Sequence, residues 1–313
     1  MSDSTELLNF SGVVVRATGS WYDVLHDGVT HSCRIRGRMR LKGVRSTAPV
    51  VVGDMVNCER EEQGSYVICS VEPRRNYIIR RASNLSKESH IIASNIDRAM
   101  IVATLFSPET ATEFIDRFLV TCEAYKIPAT ILLAKIDLAR EQPEAVAEFR
   151  ATYESAGYEV IEISATQNIG IERVKALLKN QTTLISGNSG VGKSTLINAI
   201  EPTIEVKTGE ISSSHNKGKH TTTFSTIYPL SAGGYIIDTP GIKGFGLLDI
   251  DDAELWHYYP EMLKFGEECQ FYNCTHTHEP KCAVRRAVEQ GEIAYSRYES
   301  YLKILDEDEK YRK

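Results

Sequence analysis

Two rhythms of apolar spacing divide the chain. Between about residues 10 and 75, apolar and polar positions alternate in five short segments, 12–16, 21–25, 32–40, 50–59 and 65–71. Period-two alternation is the mark of half-buried strands. Asp27-Gly28, Gly53-Asp54 and Gln63-Gly64 punctuate the segments, and this predicts a small antiparallel barrel of the OB type. Arg74-Arg75, Arg80-Arg81 and the polar run from Ser83 to His90 then read as a linker. From Ile96 the rhythm changes to unbroken apolar runs, Ile96 to Thr104, Ala129 to Leu133, Val160 to Ile163, Thr182 to Ser186 and Tyr235 to Ile237. Helix-length amphipathic segments separate most of them, which predicts an α/β domain with a buried parallel sheet. Helical patterns at 251–265, 283–289 and 293–305 close the chain. The expected organisation is a barrel over 1–80, the α/β domain over 81–248 and a helical domain over 249–313.

Composition changes this picture little. The chain has 313 residues, 42% of them hydrophobic, and no apolar run approaches the length of a membrane span. Met1 to Glu6 lacks the basic start and apolar core of a signal peptide, so a cytoplasmic location is expected; no membrane partner and a monomeric state are expected besides. Charge is more informative, because the net −6 is unevenly spread: residues 1–81 hold twelve Lys and Arg against nine Asp and Glu. Arg34, Arg36, Arg38, Arg40 and Lys42 alternate, so an extended strand points all five to one face. Such a stripe suits a phosphate backbone; it equally suits a solvated edge strand that resists aggregation.

The densest chemistry lies at Gly187-Asn188-Ser189-Gly190-Val191-Gly192-Lys193-Ser194, continued by Thr195. It is a complete G-x-x-x-x-G-K-S phosphate loop between an apolar strand and a helical segment, the context such a loop requires. Glycines let backbone N–H groups turn toward phosphates, Lys193 offers charge to the β and γ oxygens, and the Ser194 hydroxyl suits Mg²⁺. Asp238-Thr239-Pro240-Gly241 follows another apolar strand, with Asp238 suited to the Mg²⁺ shell and Gly241 to the γ-phosphate. Between the two, Thr221 or Thr222 completes the magnesium shell in a triphosphate state. Upstream, Ala134-Lys135-Ile136-Asp137 nearly matches N-K-x-D. A carboxylate at Asp137 accepts from guanine N1–H and the 2-amino group, a donor pair adenine lacks. Ser164-Ala165 then backs the base. An ATP-using phosphate-loop enzyme is the rival that Asp137 disfavours; an RNA-binding module with a decayed nucleotide site is the rival that Lys193, Ser194 and Asp238 disfavour.

Cys269-x4-Cys274-x-His276-x5-Cys282 supplies three thiolates and an imidazole, a set suited to tetrahedral structural Zn²⁺. His278 is the alternative imidazole. The other four cysteines, Cys33, Cys58, Cys69 and Cys122, read as small buried hydrophobes.

The motif order, base-reading, base-backing, phosphate loop, threonine switch and aspartate switch, is a rotation of the usual GTPase order. With GNSGVGKST, HTTT, DTPG, a barrel in front and a cysteine cluster behind, the chain resembles the ribosome small-subunit-dependent GTPase A family, the RsgA type. The resemblance implies a circularly permuted P-loop GTPase domain flanked by an N-terminal OB-type barrel and a C-terminal helical zinc-binding domain. It implies GTP/GDP, Mg²⁺ and Zn²⁺ as cofactors and the small ribosomal subunit with its rRNA as partner. It implies that His220 acts in catalysis on docking, since Ile242 stands where Ras-like enzymes carry their water-orienting glutamine. It also prefers His276 over His278 at the metal. Ala134 departs from the family's Asn, so guanine-nucleotide binding is expected to be weaker by about 1–3 kcal/mol.

Overall fold

The structure, a computed structural model, describes residues 8–36, 49–62, 64–81, 89–204, 226–238, 250–251 and 253–312. Five strands come first: β1 (Asn9–Thr18), β2 (Trp21–His26), β3 (Val29–Ile35), β4 (Met55–Arg60) and β5 (Tyr66–Val71). They close into a barrel in the order β1-β2-β3-β5-β4, with β1 also paired to β4. β3 and β5 run parallel and the other pairings antiparallel. Alternation explains the filling: Val14, Tyr22, Val24, Cys33, Cys58 and Ile68 turn inward and pack with Phe10 and Val56 as one core. The predicted strand at 50–59 begins only at Met55; Val50, Val51 and Val52 are buried ahead of it, where the Asp54 carboxylate accepts the Val51 N–H at 2.8 Å. The stripe is described as far as Arg36, and Arg38, Arg40 and Lys42 lie outside the described residues.

The segment expected to be a linker instead contains a hairpin, β6 (Tyr77–Arg81) and β7 (Ser89–Ser94). Ile78, Ile79, Ile91 and Ala93 are buried in it. Arg74, placed in the expected linker, has its side chain buried against Asp54, whose two oxygens accept from Nε and Nη2 at 2.6 and 2.7 Å. The Ser94 hydroxyl donates to the same carboxylate at 2.6 Å. A buried charge pair whose lone pairs are met in this way escapes most of its desolvation penalty, and it pins hairpin to barrel. Arg75 pairs with Asp97 at 2.7 Å, and Asp97 in turn accepts the Thr182 N–H at 2.8 Å.

Six further strands follow: β8 (Arg98–Ala103), β9 (Ala129–Leu133), β10 (Glu159–Glu162), β11 (Gln181–Gly187), β12 (Thr226–Pro229) and β13 (Gly234–Asp238). Their hydrogen-bonded order is β10-β9-β8-β11-β13-β12. β8, β9 and β10 run parallel, and β12 is antiparallel to β13. Ala99 to Ala103 are fully buried in unbroken succession, as expected of a strand covered on both faces. Helices α1 (Thr112–Ala124), α2 (Pro143–Ser155), α3 (Ile171–Leu178) and α4 (Lys193–Ile200) connect these strands or follow them.

The expected helix at 251–265 is broken in two. A 3₁₀ turn, Leu255–Tyr258, ends at Tyr259, and α5 (Pro260–Gly266) restarts with proline in its first turn, where a missing N–H costs nothing. α6 (Ala283–Glu289) and α7 (Tyr295–Arg312) complete the chain, and their apolar faces share a core with Met262, Tyr259 and Val120 of α1. Beside that core Arg297 is buried. Its Nη1 donates to Asp116 at 2.6 Å and its Nε to Glu261 at 2.7 Å, with the faces of Tyr153, Tyr158 and Tyr259 around it. Among the described residues no helix is long and apolar enough to cross a membrane.

Candidate nucleotide and metal sites

β11 runs into the phosphate-loop segment and α4 leaves it. Gly187 ends the strand against β8: a Cβ there would lie 2.7 Å from the Val102 carbonyl oxygen, so the close approach needs glycine. Gly192 caps α4 at φ 97°, a left-handed backbone that side chains resist. The first-turn N–H groups of such a helix face its N-terminal end, where its dipole favours an anion. Val191 and Lys193 are buried, Asn188 and Ser194 half-buried, and Ser189, Gly190 and Thr195 exposed.

The base-reading segment meets this loop. Lys135 has φ 57° and starts a 3₁₀ turn, Ile136–Ala139, that contains Asp137. Its Nζ donates to the Ser107 carbonyl, and its Cε lies 3.9 Å from where a Gly192 Cβ would be. The lysine stem therefore runs along the phosphate loop with its charge tethered. The Ile136 N–H donates to the Ile163 carbonyl at 3.2 Å, which joins the Lys135–Asp137 segment to the strand end carrying Ser164 and Ala165. Ser164 is buried, exchanges both backbone hydrogen bonds with Ile169, and its Oγ accepts the Gln167 N–H at 3.3 Å. Lys135, Asp137, Ser164, Ala165 and the phosphate loop thus gather at the carboxyl ends of β9, β10 and β11, where open α/β sheets bind ligands. Asp238 closes β13 and is buried. His220, Thr221, Thr222 and Gly241 lie outside the described residues. Sequence reasoning missed the Ser107 anchor, because a backbone acceptor leaves no trace in side-chain identity.

The second site is complete in the described residues. One ligand atom each from Cys269, Cys274, His276 and Cys282 lies within 4.8 Å of every other. His276 Nδ1 is 3.6 Å from Cys269 Sγ and 3.4 Å from Cys282 Sγ, and the two sulfurs are 3.9 Å apart. Bond lengths near 2.3 Å to sulfur and 2.05 Å to nitrogen make the edges of a zinc tetrahedron about 3.6 and 3.8 Å. The donor set fits such an ion. Burial lowers the His276 pKa, keeping the imidazole neutral as a ligand must be, and pushes the Cys274 thiol up to about 12. A bound cation reverses the thiol preference by stabilising thiolate. Supporting groups went unseen in the sequence. The Tyr298 hydroxyl donates to the His276 carbonyl at 2.7 Å, and the Tyr301 hydroxyl to that of Thr275 at 2.6 Å. The Ala283 N–H donates to Cys269 Sγ at 3.3 Å, and Trp256 meets the His276 ring edge-on. Burial disfavours the Glu279 charge, yet hydrogen bonds from the Thr275 hydroxyl and nearby N–H groups hold it ionised, down to about 2. His278 is exposed and bonded to Thr277, away from the four-atom cluster.

Known proteins are similar to this chain over nearly its whole length. Residues 71–248 match the RsgA GTPase family and residues 11–68 the RsgA N-terminal domain family. The chain belongs to the RsgA GTPase family. The small ribosomal subunit biogenesis GTPase RsgA of Phocaeicola vulgatus is 52% identical over 305 residues, covering 96% of this chain and 98% of that one. The protein of the same name from Flavobacterium psychrophilum is 48% identical over 308 residues, 96% of this chain and 94% of its own. Among solved structures, YjeQ from Thermotoga maritima superposes with a TM-score of 0.76 at 35% identity, covering 96% of this chain and 98% of its own. YloQ, described as a circularly permuted GTPase, gives 0.72 at 28% identity over 100% and 99% of the two chains. The fold is therefore a circularly permuted GTPase behind an N-terminal barrel, with a Cys₃His cluster toward the C-terminus, and the chain is a GTP hydrolase of this family.

Proposed function

We propose that this chain is an assembly factor of the small ribosomal subunit, which docks in its GTP form on the maturing subunit and leaves on hydrolysis. The observation that carries this reading is the meeting of the Lys135–Asp137 turn with Ser164 and the phosphate loop, together with relatives named for small-subunit biogenesis over nearly their whole length. In this reading residues 1–80 face rRNA, 81–248 bind and hydrolyse GTP, and 249–313 form the zinc-binding helical domain. Gly187 to Thr195 cradle the phosphates, and Lys135, Asp137, Ser164 and Ala165 hold the guanine. Ser194, one of Thr221 and Thr222, and Asp238 would hold Mg²⁺, which neutralises phosphate charge. Cys269, Cys274, His276 and Cys282 would hold one Zn²⁺, which staples their loop. The protein works as a cytoplasmic monomer.

Ile242 cannot orient water, so hydrolysis by the isolated chain is slow and the subunit accelerates it through His220. GTP turnover with and without purified small subunits tests the reading, and absence of stimulation defeats it. His220→Ala is expected to abolish the stimulated rate while leaving the affinity for a fluorescent GDP analogue unchanged. Unaltered stimulated turnover removes His220 from the chemistry.

A further inference from the structure

The wall of the barrel formed by β1, β2 and β3 carries an exposed ring with a cation laid on it. Trp21 opens β2 directly after the β1-β2 turn and keeps 39% of its surface exposed. It pairs with Thr18 of β1, and the pairing of Tyr22 with Cys33 and Asp23 with Ser32 brings Arg34 opposite it on β3. The Arg34 guanidinium carbon sits 4.0 Å from the centre of the indole ring. Its neighbours on this outward face are polar, Arg16 on β1 with Asp23 and Ser32 in the next row. The wall of β1, β4 and β5 differs: there Ser11, Asn57 and Ser70 form an uncharged hydrogen-bonded ladder at 2.6 and 2.9 Å. Arg36, one step along the stripe, is tied to Glu59 at 2.7 Å.

From this juxtaposition we infer that Trp21 and Arg34 form a stacking site for an unpaired nucleobase of RNA. This rests on the proposed RNA-facing role of the barrel and names the contact that serves it. A protein hot spot around an aromatic ring sits in a well-packed, fully desolvated pocket, whereas this ring stands on the outward face of a strand among charges and hydroxyls. Nucleobases stack on aromatic rings and on guanidinium planes, and their phosphates need a nearby cation; the part-exposed indole with Arg34 laid over it supplies both. The β2-β3 face and the loop between the first two strands are also where OB-type barrels generally bind oligonucleotides. A ring of this kind engages single strands, because duplex bases already stack on one another.

The test titrates fluorescein-labelled ten-nucleotide oligo(A) and oligo(U), and a ten-base-pair RNA duplex, with the full chain and with Trp21→Phe, Trp21→Leu and Arg34→Gln. Leucine keeps apolar bulk but lacks a π face. Trp21→Leu is expected to weaken single-strand binding about five- to hundredfold, Trp21→Phe to stay within about threefold, and duplex binding to be unaffected. Arg34→Gln is expected to lower the slope of log affinity against log salt by about one. Equal single-strand affinity for the leucine and phenylalanine variants, or no single-strand binding by the parent protein, overturns the site. Co-sedimentation of the parent chain with small subunits in the presence of a non-hydrolysable GTP analogue is run in parallel. Loss of that association defeats the proposed function, whereas intact association with equal leucine and phenylalanine variants defeats only the stacking site.

Discussion

Ala134 sits at the end of β9 with its N–H bonded to the Ala103 carbonyl at 2.7 Å and 9% of its surface exposed. The backbone there is placed as a base-reading strand end requires, but a methyl group offers nothing to a purine or to the phosphate loop. Ala134→Asn is expected to tighten GDP and GTP binding by about 1–3 kcal/mol, roughly five- to a hundredfold, the worth of one or two well-made hydrogen bonds. Titration with a fluorescent GDP analogue checks it, and equal or weaker binding by the variant contradicts it. At this scale the sequence named residues that the structure gathers where chemistry depends on residue type, as at the metal cysteines and His276. It was silent where chemistry depends on backbone atoms: the Ser107 carbonyl that tethers Lys135 and the Ile136–Ile163 hydrogen bond could not be read from side chains.

Elements were legible in proportion to their apolar periodicity. β8 and β9 follow the predicted runs closely because strands covered on both faces are apolar throughout. The β6-β7 hairpin was hidden because its arginine pair and the polar run from Ser83 to His90 read as a linker, and the Asp54 that neutralises Arg74 lies twenty residues away. The loop of the Cys₃His site is the element with the weakest support of its own, since residues 267–282 hold no α-helix or strand and their sulfurs point inward on one another. Metal is therefore expected to order it. Natively purified protein should contain one zinc per chain, and chelation should open residues 267–282 to protease while α7 stays protected by its packing on α1. Cys282→Ser should behave like the chelated protein. Persistent protection of the loop after the metal is removed, followed by mass spectrometry of the fragments, contradicts this.

Tertiary pairing is where local sequence carries least, and Arg297 is the extreme: it bonds Asp116 across 181 positions of chain. No window of sequence marks it as other than a surface arginine of a polar helix. Yet it is 1% exposed, shares Glu261 and Asp116, and joins α7 to α1 and α5. Burial raises the Asp116 carboxyl above its ordinary value, and the Arg297 charge pulls it back. Arg297→Met removes the pull and keeps the burial, so the folded-state value climbs further above the unfolded value of about 3.9. An acid raised in this sense contributes stability that is complete below the unfolded value and is lost as pH rises through the folded one. Near neutral pH the variant is expected to lose about 3–5 kcal/mol, because two carboxylates are left buried without a cation. Toward pH 5 it should recover part of that loss as Asp116 takes up a proton. Urea unfolding at pH 5 and pH 8 measures both, and a deficit equal at the two pH values contradicts the account. The triple variant Arg297→Met, Asp116→Asn, Glu261→Gln separates charge from packing: with no ion left to desolvate, its deficit should be smaller than that of Arg297→Met at pH 8 and independent of pH between the two.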